Sequence, residues 1–192
     1  MCNLWPDPTL ASVEIRGADI NLVPLDPARH AASLFALFQD DNIWRYLRDG
    51  PFETLDMYRS HLWHFLSHTA FAAYVIVEKT SGAILGKVSL MHADPKCRSL
   101  EIGYVVFGAK ATGHPFGKQA ISLLIDAVFT QFDCKICKWR CDARNIASAK
   151  LSAKFFFTHS ATIHRHLLIK GVHRDTKIFQ LKRNIWKSLK NK

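Results

Sequence analysis

Three strand-like segments in succession, followed at once by a switch to helical period, constrain this chain more than any other feature. FAAYVIVE (71–78), AILGKVSLMH (83–92) and SLEIGYVVF (99–107) are rich in β-branched and aromatic residues and are joined by the turns KTSG (79–82) and DPKC (94–97). Connections this short predict an antiparallel meander. From Phe116 onward the period changes: Phe116, Ala120, Leu123, Leu124, Ala127 and Val128 recur at helical spacing and form one wide apolar stripe. KICKWRCDA (135–143) is a candidate buried strand, residues 145–157 a helix, and HRHLLIKGVHRDTKIFQL (164–181) two strands turning at Lys170 and Gly171. Upstream, residues 12–25 read as a strand pair region. Asp26 and Pro27 cap and open a helix that ends near Asp40, and residues 53–68 place Leu55, Tyr58, Leu62, Phe65 and Leu66 on one face of a second helix. The predicted order is βααβββαβαββ, about seven strands.

A chain of 192 residues with 48% hydrophobic content can build one core without metal or disulfide staples. No apolar run approaches the roughly 18 residues of a membrane span, and the start MCNLWPDPTL lacks the order of a signal peptide, so a cytoplasmic setting without membrane contact is expected. Cys2, Cys97, Cys134, Cys137 and Cys141 are odd in number and unevenly spaced, which fits reduced thiols. The net charge of +10 is concentrated at the end of the chain, where nine Lys or Arg face Asp175 alone from His164 onward. Residues 184–192 are read as a basic tail after a single domain over 1–183. Such a tail is most simply a solvated surface, with contact to nucleic acid or the ribosome as the functional alternative.

Chemistry points to the junction LEIGYVVF, GAKATGHPFGKQ, AISLLIDAVF. A helix that follows small residues and glycines presents unpaired N–H groups and a positive dipole end, which suits a pyrophosphate. As a pattern alone, a Gly-containing strand-to-helix turn is weak evidence.

The element order and several segments over residues 12–183 resemble the GNAT superfamily of N-acetyltransferases, of the RimJ/RimL type that acetylates ribosomal-protein N-termini. NIWRYLRDGPF resembles the stretch after the first helix, LEIGYVVF the fourth strand, CDARNIAS the fifth strand and following helix start, and LLIKGVHRDTKIFQL the last hairpin. The resemblance implies an α/β fold: a mixed, twisted sheet with helices on both faces and a splay between the fourth and fifth strands. It implies acetyl-CoA as co-substrate, with no metal, and its pantetheine arm beside Val105, Val106 and Phe107. The family's pyrophosphate loop falls on Thr112, Gly113, His114, Pro115, Phe116 and Gly117. Pro115 replaces the central glycine and has no N–H to offer, which leaves Gly113, His114, Phe116, Gly117 and Lys118 as donors.

For the reaction, Glu101 on the fourth strand is the candidate base, with a solvated strand charge as the plain alternative. The Tyr that many members use as acid is missing, because Leu151, Phe155, Phe156 and Phe157 occupy that region. Ser148 matches a serine near the sulfur, and Asn145 a residue on the cofactor arm, or simply a helix cap. Core packing is the default for the scattered tryptophans, but the resemblance implies that NIWRYLRDGPF and the last hairpin wall the amine site, which makes Trp44, Tyr46 and His173 the candidates for the acceptor pocket. The acceptor implied is a primary amine, either a protein N-terminus or a small amine, on a monomer or homodimer. Two rival readings are an acyl-CoA-binding protein with little or no turnover, suggested by Pro115 and the missing Tyr, and an RNA- or ribosome-binding module that uses the basic end.

Two clusters invite a metal reading. His61, His64 and His68 share helical spacing, but no HExxH pattern or carboxylate set accompanies them. Cys134, Cys137 and Cys141 form CxxCxxxC with no second ligand pair at zinc-finger distance, so buried thiols are expected.

Overall fold

The computed structural model of the chain describes residues 6–109, 111, 112 and 114–190. After a short 3-10 helix at Pro8–Ser12, eight strands form a single sheet in the order β1-β2-β3-β4-β5-β6-β8-β7. They are β1 (Ile15–Arg16), β2 (Ile20–Pro24), β3 (Ala70–Glu78), β4 (Ile84–Asp94), β5 (Ser99–Phe107), β6 (Ile136–Asp142), β7 (Thr158–Ile169) and β8 (Val172–Lys182). Only β5 and β6 run parallel; all other neighbours are antiparallel. The count is eight rather than seven because the stretch 12–25, read as a strand pair region but counted once in the predicted order, forms the two strands β1 and β2.

Helices cover both faces. On one side α1 (Pro27–Leu37) and α2 (Leu55–His68) bury Leu34, Tyr58, Leu62 and Phe65 against Ala73, Val75 and Met91 of the sheet. On the other, α3 (Pro115–Thr130) buries Ala120, Ile121, Leu124, Ile125 and Val128 against Tyr74, Ile76, Leu90 and Leu100. Each buried aliphatic side chain of this kind stabilises the fold by about 1.5–3 kcal/mol relative to exposure. Asp26 caps α1 and Thr54 caps α2 through side-chain oxygens that accept from Ala28 N and Met57 N.

The helix expected over 145–157 is shorter. α4 (Ile146–Lys154) stops before the three phenylalanines, and Phe156 itself takes the left-handed conformation, φ 62°, that a glycine would supply without cost. Residues 184–190, expected as part of a tail, belong to the helix α5 (Arg183–Lys190). Trp186 rests on Phe129 and donates from Nε1 to Asp126 Oδ1 at 2.9 Å, while Lys190 reaches the other oxygen of Asp126 at 2.7 Å. The basic residues thus ride on a docked amphipathic helix.

One glycine fixes the spacing of the central strands. A Cβ on Gly86 of β4 would stand 2.3 Å from the Val106 carbonyl oxygen and 3.1 Å from Phe107 Cα, both backbone atoms of β5. Gly86→Ala must therefore separate two hydrogen-bonded strands. It should cost about 1–3 kcal/mol and lower Tm by roughly 3–10 °C for a chain of this size; an unchanged melting curve would refute that spacing.

Candidate active site

β5 and β6 are paired over only part of their length. Ser99, Leu100, Glu101 and Ile102 match Ile136, Cys137, Lys138 and Trp139, and the register stops there. Beyond Ile102, β5 also bulges away from a flat path: Lys87 and Ser89 of β4 face Val106 and Gly103, so two steps on β4 span three on β5. Tyr104 absorbs the extra residue at φ 47°, a conformation that costs a non-glycine residue on the order of 1–2 kcal/mol. The strands part, and the opening is a cleft of about 740 Å³.

The cleft brings together most of the residues expected to serve it. Glu101, Val105, Val106, Phe107, Thr112, Asn145, Ser148 and Tyr46 all line it. Asn145 Oδ1 accepts from Ser148 N at 3.0 Å, so it caps α4 as well as bordering the cleft. Ser148 Oγ accepts from Trp139 Nε1 at 3.0 Å, and Tyr46 donates its hydroxyl to the Arg144 carbonyl at 3.3 Å.

Strand alternation separates the two faces of the opening. Leu100, Ile102, Trp139, Cys141, Phe179 and Leu181 belong to the core on the α3–α4 side. Glu101, Arg140, Thr176 and Arg174, one residue out of phase with these on regular stretches of their strands, point to the α1–α2 side. Glu101 is 3% exposed, and its Oε2 lies 2.9 Å from Arg140 Nε and 3.2 Å from His92 Nδ1. The Arg140 contact is one of charge rather than an aligned hydrogen bond. The other oxygen, Oε1, faces Gly103, 3.8 Å from where a Cβ would stand on that glycine.

Two expected acceptor residues are elsewhere. Trp44 is 4% exposed, donates from Nε1 to the Phe38 carbonyl at 3.0 Å and packs edge-on against Phe38, Phe52 and Tyr58. It is core, because its indole fills the gap between α1 and α2. His173 is exposed, on the opposite phase of β8 from Arg174 and Thr176, which line the cleft together with His166 and Leu167 of β7. The aromatic stretch and the last hairpin do wall the site, but through Tyr46, Leu47, Arg48 and Arg174.

The expected phosphate cradle is folded upon itself. Thr112 N donates to Gly108 O at 3.1 Å, His114 N to Ala111 O at 3.2 Å, and Gly117 N to His114 O at 3.3 Å. Phe116 N points at the His114 ring, 3.5 Å from Nδ1. The amides of His114, Phe116 and Gly117 are therefore not idle as the sequence suggested; the Phe116 bond is long and the easiest to exchange. Gly117 is tightly placed, with a Cβ there 3.1 Å from the Ala111 carbonyl. Lys118 is exposed in the first turn of α3. Gly113 lies outside the described residues.

Sequence reasoning missed His92, which lines the cleft, and the buried Lys87. His92 shares the Glu101 carboxylate because it sits in a bulge of β4 at φ 48°. Lys87 is 1% exposed on the α1–α2 side, with Nζ 4.6 Å from the Phe65 ring centre and 5.1 Å from that of Tyr104. Its Nζ has no hydrogen-bond partner, and burial pulls its pKa down from 10.5 to about 8 against the opposing charge of Asp49. Tyr104 donates to Asp49 Oδ2 at 2.7 Å; burial and then this bond raise its pKa. Burial lowers His61 to about 4, and the ring packs on Phe52. Burial likewise pushes Cys134 up to about 12 and Cys137 well above the ordinary thiol value, so both are held as neutral thiols.

The chain thus combines a mixed sheet that opens between its two parallel strands with a helix N-terminus on one side and a buried carboxylate on the other. The family model for the acetyltransferase (GNAT) domain matches residues 19–158, and the chain belongs to that family of N-acetyltransferases. A probable acetyltransferase of the GNAT family from Chromobacterium violaceum is 33% identical, with a TM-score of 0.87 over 92% of this chain and 89% of its own. A GCN5-related N-acetyltransferase from Brucella melitensis is 25% identical at TM-score 0.87, over 100% of this chain and 88% of its own. The fold also matches, at 17% identity and TM-score 0.73, a spermidine N-acetyltransferase from Vibrio cholerae solved with CoA and spermine, over 89% of this chain and 99% of that one. No curated protein matches it. Among the described residues no helix is long and apolar enough to cross a membrane.

Proposed function

We propose that the protein transfers acetyl from acetyl-CoA to a primary amine by direct attack, and that a protein N-terminus is the favoured acceptor, as in the RimJ/RimL type it resembles. The observation that carries this reading is the parting of β5 and β6 after Ile102 and Trp139, which leaves the β6-facing edge of β5 from Gly103 to Phe107 unpaired beside a buried Glu101. Backbone groups with no partner must find one, and the amide-bearing pantetheine arm is chemically suited to supply it at Val105, Val106 and Phe107. Thr112, Gly113, His114, Phe116, Gly117 and Lys118 are assigned to the pyrophosphate end, where the His114 ring must release Phe116 N for an anion to be held by α3. Asn145 and Ser148 flank the arm and the sulfur.

In the reaction the neutral amine attacks the thioester carbonyl from the α1–α2 side. A C–N bond forms, the C–S bond breaks, the amine proton passes to Glu101 directly or through water, and its return through water to the sulfur lets CoA leave as the thiol and restores the carboxylate. Arg140 and His92 hold Oε2, which fixes the carboxylate and leaves Oε1 toward the opening at Gly103. Tyr46 borders the acceptor.

The self-bonded loop and Pro115 favour one rival, a CoA-binding protein without turnover, and one experiment separates the two. Acetyl-CoA at 100 times its Kd should stabilise the protein by about 2.7 kcal/mol, read as a rise in Tm, and an amine panel should release CoA thiol in proportion to acetylated product. A Tm rise without thiol release would favour the rival, and no Tm rise with acetyl-CoA or CoA would remove both.

A further inference from the structure

The α1–α2 side of the cleft holds more cations than its carboxylates can satisfy. Glu101 is taken by Arg140 and His92. Asp142 is taken by Arg144, which donates from its backbone N, Nε and Nη2 at 2.8 to 3.0 Å. Asp49 accepts from Tyr104 and lies in the field of Lys87. Asp40 caps the 3-10 helix Asp41–Trp44 by accepting from Asn42 N and Nδ2.

Arg174 and Arg48 are left over. Both line the cleft. Arg174 is half-buried on β8, its Nε is sealed from solvent without a hydrogen-bond partner, and among the described residues neither arginine forms an ion pair. Burial lowers the pKa of Arg174 against the fields of Asp142 and Glu101, carboxylates already bonded or paired to Arg144 and Arg140, and the like charge of Arg48 adds to the lowering, so the two guanidiniums stand within electrostatic reach of each other. Both also bear on the Tyr104 hydroxyl. Two guanidiniums turned into one cavity repel until an anion lies between them, and their planar donor forks match a carboxylate.

We infer that Arg174 and Arg48 form a carboxylate subsite for the acceptor, so that the amine substrate carries an acid group close to its nitrogen: a free amino acid, or a peptide N-terminus with an acidic residue. The inference rests on the acetyl-transfer reading above. The phosphates of acetyl-CoA are not the anion concerned, because Arg174 projects to the α1–α2 side whereas the first turn of α3 lies across the sheet. Polyamines, which bring only positive charge, are disfavoured acceptors for the same reason.

Two readouts test this. In the first, the acetylated forms of an amino acid and its amide, and of aspartyl and asparaginyl N-terminal peptides capped as amides, are titrated by calorimetry into protein saturated with CoA. In the second, the unacetylated amines are compared by kcat/KM. The acid member of the matching pair should bind about 10–100-fold more tightly than its neutral partner, the range of one or two charge-assisted bonds. R174Q should erase that difference by weakening the acid alone, and the exposed R48Q, which bears little on folding, should reduce it. The pair that shows the preference distinguishes an amino acid from a peptide. Equal binding of acid and neutral members, or equal loss of both in R174Q and R48Q, would overturn the subsite. Selective binding of the acid with no turnover of any amine would uphold the subsite and overturn the transferase reading.

Discussion

Glu101→Gln is expected to lower kcat about 10²–10⁴-fold, the usual contribution of a positioned base, while acetyl-CoA affinity stays essentially unchanged. The substitution keeps size and shape but removes the proton acceptor on the α1–α2 side, whereas the proposed cofactor contacts lie at Val105–Phe107 and the start of α3. It also deprives Arg140 and His92 of their anion, and a cation stranded in a buried pair can cost about 3–5 kcal/mol, so the melting temperature must be followed beside the rate. The informative pattern is a folded, acetyl-CoA-binding protein whose kcat has collapsed. If the variant turns over at the native rate, Glu101 is only the counter-ion of Arg140, and His92, which shares its oxygen and borders the cleft, becomes the group to replace next.

The readable parts of the chain were those where one physical signal dominates. β5 runs over Ser99–Phe107 as the segment SLEIGYVVF predicted, and α3 begins at Pro115, one residue before the predicted stripe. Both are long apolar patterns bounded by turn residues. The misplaced residues sit where a tertiary choice overrides a local pattern. The resemblance alone points Trp44 to the acceptor pocket, whereas the default of core packing is what the fold adopts: its indole packs on Phe38, Phe52 and Tyr58. His173 and Arg174 are adjacent, and which of them faces the cleft depends on the pairing of β8 with β6, where a shift of one residue exchanges the two. His92 was invisible because a bulge, not alternation, turns it toward Glu101. α5 was hidden by its charge: Ile185 and Trp186 lie between basic residues, and only the docking of Trp186 on Phe129 and Asp126 makes a helix of them.

Lys87 had a signal that alternation could have exposed. It is the one charge in the run ILGKVSLM, within a strand whose residues 85–91 are buried on both faces. On such a strand a lysine has no solvent side to reach. Replacing it should therefore strengthen the fold. A pKa lowered from 10.5 to about 8 means the folded protein holds the proton less tightly than the unfolded chain. Below about pH 8 both states are protonated, and the full penalty of burying the ammonium is present. Between about pH 8 and 10.5 the unfolded chain binds more protons than the folded one, so stability rises with pH across that window. At 1.36 kcal/mol per pKa unit the penalty at neutral pH is about 3 kcal/mol. The contacts with the Phe65 and Tyr104 rings offset part of that cost, by about 0.5–2 kcal/mol. Lys87→Met keeps the length of the side chain and removes the charge, so at pH 7 it should raise unfolding free energy by about 1–3 kcal/mol, the range seen when buried ionic groups are replaced by apolar ones. Denaturant titrations at a series of pH values check both statements. The native protein should gain stability between about pH 8 and 10 relative to the variant, whose curve lacks that rise. A variant less stable than the native protein at pH 7 would mean that the attraction between Lys87 and Asp49 outweighs burial, and that the ammonium is a strut under Tyr104 and the acceptor side of the cleft.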